Sequence, residues 1–139
     1  MREIVQGFTE KTLEQVKAER IQESKEKLHS YLTAHPWMSD VKGGKTRPYT
    51  VTAEKQAMLT SELMLAQGAA SAGTTYNAKW NSAGAECEVW DTAELARLAY
   101  EIAAYVKPYV SRQQTLEVLI DACETPEDVY AVAIDYTEV

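Results

Sequence analysis

This chain of 139 residues is short of the side chains that usually carry chemistry. It has two histidines, two cysteines and one phenylalanine. Two cysteines make no disulfide framework. No run approaches the ~18 consecutive apolar residues of a membrane-spanning helix. The opening MREIVQGFTEK has no apolar segment followed by a small-residue cleavage site, so no secretory signal is expected. Basic residues are scarce in one half. Residues 73–139 hold four Lys+Arg against twelve Asp+Glu, a balance of −8, whereas residues 1–72 hold ten against nine, a balance of +1. A net charge of −7 so distributed disfavours nucleic-acid phosphates and anionic membrane surfaces. The acidic half reads as a solvated surface, or as a face for a basic partner.

What is present is enough apolar residue, 45%, to bury one core without disulfides or metal. The spacing predicts an α+β domain dominated by helices. A long first helix runs from about Thr9 to Leu32, capped by Thr9 or Thr12. Its apolar stripe of Leu13, Val16, Ile21, Leu28 and Leu32 is thin, and Glu14, Lys17 and Ser24 interrupt any heptad. Residues 1–35 are therefore expected as a helical arm that projects or pairs with another chain, and residues 36–139 as the compact remainder. Dimers and trimers are both compatible with such a stripe.

His35-Pro36 ends the helix, since the residue before proline avoids the α region. Trp37–Val41 and Pro48–Val51 form a small hairpin around Lys42-Gly43-Gly44-Lys45. Thr52 caps a second helix, Ala53 to about Gln67, with Ala57, Met58, Leu63, Met64 and Ala66 as its apolar face. The small, polar stretch from Gln67 to Thr75 reads as a loop or frayed end. Tyr76–Trp80 and Ala85–Trp90 give a second hairpin, with Cys87 and Val89 on the buried parity. Asp91 and Glu94 open a third helix lined by Leu95, Leu98, Ala99, Ile102, Ala103 and Val106. Pro108 is expected to kink or end it, with a further limb at Leu116, Leu119, Ile120 and Cys123. Thr125-Pro126 starts a short last helix reaching about Ala133, with Val129, Val132 and Ala133 inward.

No motif supplies a reaction. His29 and His35, six apart, share no helix face, and Cys87 and Cys123 read as core residues rather than nucleophiles. Gly43-Gly44-Lys45-Thr46 resembles the end of a phosphate-binding loop, but the required earlier glycine is Ser39 and Pro48 blocks a following helix. No catalytic residue, cofactor or metal is expected. The aromatics are the better lead. Trp37, Trp80 and Trp90 sit at hairpins and Tyr100, Tyr105 and Tyr109 on the third helix; both residue types are enriched at interfaces. With Leu13, Val16, Ile21 and Leu28 they are the candidate interaction residues, against the plainer reading that they plug hairpins onto helices.

Three segments carry a resemblance: PYTVTAEKQAMLTSELMLAQ, KWNSAGAECEVWDTAELARLAYEIAAYV and SRQQTLEVLIDACETPEDVYAVAID. In this order, over about residues 12–136, they resemble the phage and prophage domain of unknown function numbered 4376. The Trp80 hairpin, the Trp90-Asp91-Thr92-Ala93-Glu94-Leu95 helix start and the Ile120–Thr125 corner carry it most. The resemblance implies association with phage tails and tail fibres, binding rather than catalysis, and residence in the bacterial cytoplasm during assembly or in the virion tail. A nearly free-standing copy is expected to be a tail-fibre accessory subunit or assembly factor. The alternative is a small acidic inhibitor of a host defence or nucleic-acid enzyme.

Overall fold

The structure, a computed structural model, describes residues 10–139. It is a predominantly helical α+β fold: α1 (Leu13–Ala34), β1 (Trp37–Ser39), β2 (Arg47–Tyr49), α2 (Ala53–Ser71), β3 (Lys79–Trp80), β4 (Glu88–Val89), α3 (Thr92–Asp121) and α4 (Pro126–Ala131). Both strand pairs are antiparallel, with Trp37 opposite Tyr49 and Trp80 opposite Glu88.

Local chemistry sets the boundaries. Thr12 caps α1 reciprocally with Gln15: its Oγ1 accepts from Gln15 N–H at 3.1 Å, and Gln15 Oε1 accepts from Thr12 N–H at 2.8 Å. Thr9 lies outside the described residues. Thr52 and Thr125 accept from Lys55 and Asp128 N–H at the starts of α2 and α4. α2 runs four residues beyond Gln67 and ends in a Schellman turn. There Gly73 adopts φ +74° and Thr74 N–H donates to Ala69 O at 2.9 Å.

Helix α1 is no projecting arm. From Leu13 onward it lies along α3 and α4, with Val16, Ser24 and Leu32 buried. A helix whose thin stripe meets a longer neighbour needs no second chain to cover it. Helix α3 runs unbroken through Pro108, contrary to the expected break. The proline sits on the exposed side, and Val106, Gln113 and Leu116 are buried on either side of it. Packing on both limbs therefore keeps one axis, and the lost N–H bond falls at the wet face.

Two cores result. The larger gathers Leu32, Tyr49, Val51, Leu59, Trp80, Trp90, Leu95, Leu98, Ile102 and Val106 beneath the hairpins. The smaller is Val16, Ile120 and Val129, flanked by Leu13, Ile21, Cys123 and Val132. On α2 the inward residues are Leu59, Leu63 and Ala66, while Ala57, Met58 and Met64 are exposed. Cys87, Val89 and Ala133 are exposed as well; β4 is only two residues long, so strand parity has no sheet to act through.

Between the cores lies a polar joint. Gln113 Nε2 donates to Ser24 Oγ and to Glu117 Oε1, both at 3.1 Å. Tyr136 O–H donates to Ser24 O at 2.8 Å, which straps the C-terminal segment across α1. Elsewhere among the described residues four buried side-chain atoms find no hydrogen-bond partner, on Arg20, Tyr49, Trp90 and Arg112. Tyr49 is fully buried, edge-on to Trp90 at 5.7 Å, yet its hydroxyl has no partner. Tyr49→Phe is therefore expected to stabilise the fold by about 1 kcal/mol, read from chemical denaturation. A loss of stability would show instead that water satisfies the hydroxyl.

Candidate interaction surface

The aromatic candidates divide sharply once placed. Trp80 and Trp90 are core residues, closed over by lysines: Lys55 Nζ lies 4.9 Å from the Trp80 ring centre and Lys42 Nζ 5.4 Å from that of Trp90. Trp37, Tyr105 and Tyr109 are half-buried in a ladder that fastens the end of α1 to α3. Trp37 meets Tyr105 at 5.0 Å, Tyr31 meets Tyr109 at 5.0 Å, and Tyr31 stacks on His35 at 4.0 Å. Tyr105 O–H donates to His35 O at 2.9 Å. Leu13, Ile21 and Leu28 are half-buried against the cores and Val16 is fully inside. Tyr100 alone of the ten candidates is an exposed residue, at 72%. The plainer reading holds for the tryptophans: small hairpins gain stability only by plugging large side chains into helices.

The ladder ends on a carboxylate that sequence reasoning passed over. Glu101 Oε1 accepts from Trp37 Nε1 at 3.0 Å and from Ser39 Oγ at 2.7 Å, and Oε2 accepts from Arg97 Nε at 3.2 Å. Burial pushes its carboxyl up, but these donors outweigh burial and hold it below the usual carboxylate value. Its partners Trp37 and Ser39 lie 64 and 62 residues away, so no local pattern could reveal them. The other strong shifts are structural too. The Tyr109 hydrogen bond and burial push Tyr31 up to about 12, and burial pushes Tyr136 up to about 12.

The surface itself offers one wide concave feature near the aromatics. A cleft of about 500 Å³ opens between α2 and the second strand pair. Its wall is Lys55, Met58 and Glu62, its floor is Trp80, and Tyr76, Lys79 and Cys87 close the far side. Glu62 holds that wall in place: Oε2 accepts from Tyr76 O–H at 2.8 Å and from Lys79 N–H at 3.0 Å. A methionine beside aromatic edges and a fixed carboxylate makes an adaptable binding surface. The Gly43-Gly44 segment is a hairpin turn with φ of +66° and +75° at its glycines. Among the described residues no group of three or more His, Cys, Asp or Glu is placed to hold a metal ion. No helix among them is long and apolar enough to cross a membrane.

The family model described as "Domain of unknown function (DUF4376)" matches residues 10–138. No curated protein and no solved structure matches the chain.

Proposed function

The chain belongs to the DUF4376 family, and from that premise we propose that it is a non-catalytic bacteriophage or prophage tail-associated protein. It acts by protein–protein contact, as a tail-fibre accessory subunit or a tail assembly factor. The phage association rests on the resemblance described above. The observation that carries the binding role is the open cleft between α2 and the second strand pair, with Met58 exposed at its wall. Burial supplies the energy of such contacts, and methionine adapts its shape to the partner.

The test is co-expression with the tail and tail-fibre proteins encoded beside this chain, followed by size-exclusion chromatography with light scattering. A stoichiometric complex with one of them is expected. Met58→Asp should weaken it by about tenfold or more, as for a well-placed interface residue. Tyr100→Ala probes the exposed aromatic of α3 in the same assay. Both sites are exposed, so stability should shift by less than about 0.5 kcal/mol. Deleting residues 1–30 is not a usable test, because it removes Val16 from the smaller core and Ser24 from the polar joint between the cores. Failure to bind any tail component of the same phage would sink the reading. Binding instead to a host enzyme, with affinity falling steeply as salt rises, would favour an acidic inhibitor acting through the −8 half.

A further inference from the structure

The second strand pair leaves the outer edge of β3 without a partner strand. Trp90 N–H donates to Ala78 O at 2.9 Å, and the register sets Lys79 opposite Val89 and Trp80 opposite Glu88. Main-chain groups alternate in direction along an antiparallel pair. Those of Ala78 and Trp80 therefore point into the pair, and those of Asn77, Lys79 and Asn81 point away from it. These three alternate residues line the cleft described above. One side of the cleft is thus an open strand edge, and the other is α2.

The edge is held by a substitute. Lys79 N–H donates to Glu62 Oε2 at 3.0 Å. A carboxylate oxygen stands where the carbonyl of a third strand would accept that proton. Charged groups commonly blunt free edges, but this one belongs to a helix whose own outer side is unfinished. Met58, Glu62 and Leu65 recur at steps of four and three, so they share one side of α2. Met58 is 55% and Leu65 54% exposed, while Leu59, Leu63 and Ala66 turn to the larger core with Ala78 and Trp80. An apolar margin of α2 therefore adjoins an edge that lacks a strand.

Charge narrows what fits there. None of the ion pairs among the described residues uses Lys55 or Lys79, although the chain carries −7. Side chains alternate across a strand, so the exposed Lys79 stands on the outer face, opposite the buried Trp80.

We propose that an extended segment of a partner chain adds to the edge of β3 as a third strand, with apolar and acidic side chains in alternation. Its carbonyl takes Lys79 N–H from Glu62, which swings aside. Its apolar residues lie inward on Met58 and Leu65, and its acidic residues stand outward beside Lys79. A helix has no spare main-chain groups to offer an edge, so the occupant is extended. A second copy is disfavoured, because pairing two β3 edges about Lys79 sets lysine against lysine. The inference rests on the cleft being the contact surface of the proposed function, and adds the form and charge of what binds there.

The probe is an end-blocked peptide of about six residues, alternating valine and glutamate, the usual length of a strand. It is titrated into the isotope-labelled full chain and followed by NMR. Amide shifts are expected at Asn77, Lys79 and Asn81 and along Met58–Leu65. Methylating one alternate set of peptide nitrogens should weaken binding more than about tenfold, and methylating the other set should leave it within about twofold, because only one set faces β3. Glu62→Ala removes the competing acceptor and should tighten binding about threefold. A valine–lysine peptide should bind about fivefold more weakly than the glutamate one. Unmoved edge amides at the solubility limit of the peptide, equal losses from both methylated sets, or weaker binding to Glu62→Ala would overturn the proposal. So would protection of the Lys79 amide on concentrating the chain alone, which would assign the edge to a second copy. A tail component that binds through Met58 but leaves the Lys79 amide unmoved would refute strand addition and spare the tail reading. A peptide that binds as expected where no tail component does would refute the tail reading and spare strand addition.

Discussion

Ile120→Ala is expected to lower the unfolding free energy by about 2–5 kcal/mol, the range for truncating a fully buried branched side chain. Ile120 shows 0% exposure and stands at the centre of the smaller core, where Val16 of α1 and Val129 of α4 close on it. The cavity would sit beneath three separate elements, each held by its own backbone hydrogen bonds, so it has little room to collapse. The loss should appear in one cooperative transition. Helix α1 is joined to α3 along its whole length: by Val16 at one end, by the Ser24–Gln113 bond in the middle, and by Leu32 and Tyr31 in the larger core at the other. Urea melts followed by far-ultraviolet circular dichroism and by tryptophan fluorescence should therefore coincide. All three tryptophans lie in or against the larger core, far along the chain from Ile120. If fluorescence kept its original midpoint while helicity was lost early, residues 1–35 would behave as the separate unit that the thin stripe suggested.

That stripe shows where the sequence was readable. Caps were legible because each is written in a few consecutive residues: Thr12 as one of two threonines before α1, Thr52, Asp91 with Glu94, and Thr125 before Pro126. The face of α2 was not. Ala57-Met58-Leu59 and Leu63-Met64-Leu65-Ala66 are apolar on every side, so periodicity gives several equal stripes and tertiary packing selects Leu59, Leu63 and Ala66. Pro108 marks a possible break, but whether a helix breaks depends on what packs on either side of it, and that is not local. The roles of the aromatics were illegible for the same reason. An indole that plugs a hairpin and an indole that meets a partner have identical neighbours in sequence. Burial separates them, leaving Trp90 at 3% exposure and Tyr100 at 72%. The cleft escaped altogether, since its wall and far side come from α2 and from a loop some twenty residues later.

Glu101→Ala should cost about 2–4 kcal/mol, comparable to losing a core methyl cluster, although the residue is a surface-helix carboxylate in sequence. The substitution strands Trp37 Nε1 and Ser39 Oγ, both donors at a partly closed seam between β1 and α3. Leaving a desolvated donor without an acceptor costs more than the net worth of the bond. Glu101→Gln keeps an acceptor oxygen and should lose roughly 1–2 kcal/mol, the part due to charge. The indole N–H proton of Trp37 gives a direct spectroscopic reading, moving toward the free-indole position in both variants. The pH dependence follows from the sign of the shift. The folded carboxyl titrates below its ordinary value of 4.5, so the folded state binds fewer protons there than the unfolded chain does. The stabilisation from Glu101 is thus fully present above about pH 4.5 and is lost as the pH falls through the folded value. Glu23, Glu117 and Asp135 shift in the same direction and contribute their own share of the acid limb. The difference between wild type and Glu101→Gln removes that common background. It should be constant from pH 6 to pH 8 and shrink below about pH 4.5. A difference that persisted unchanged into acid would show that the loss in Glu101→Gln comes from the fit of the amide, which replaces the oxygen facing Arg97 by a donor, and not from the missing charge.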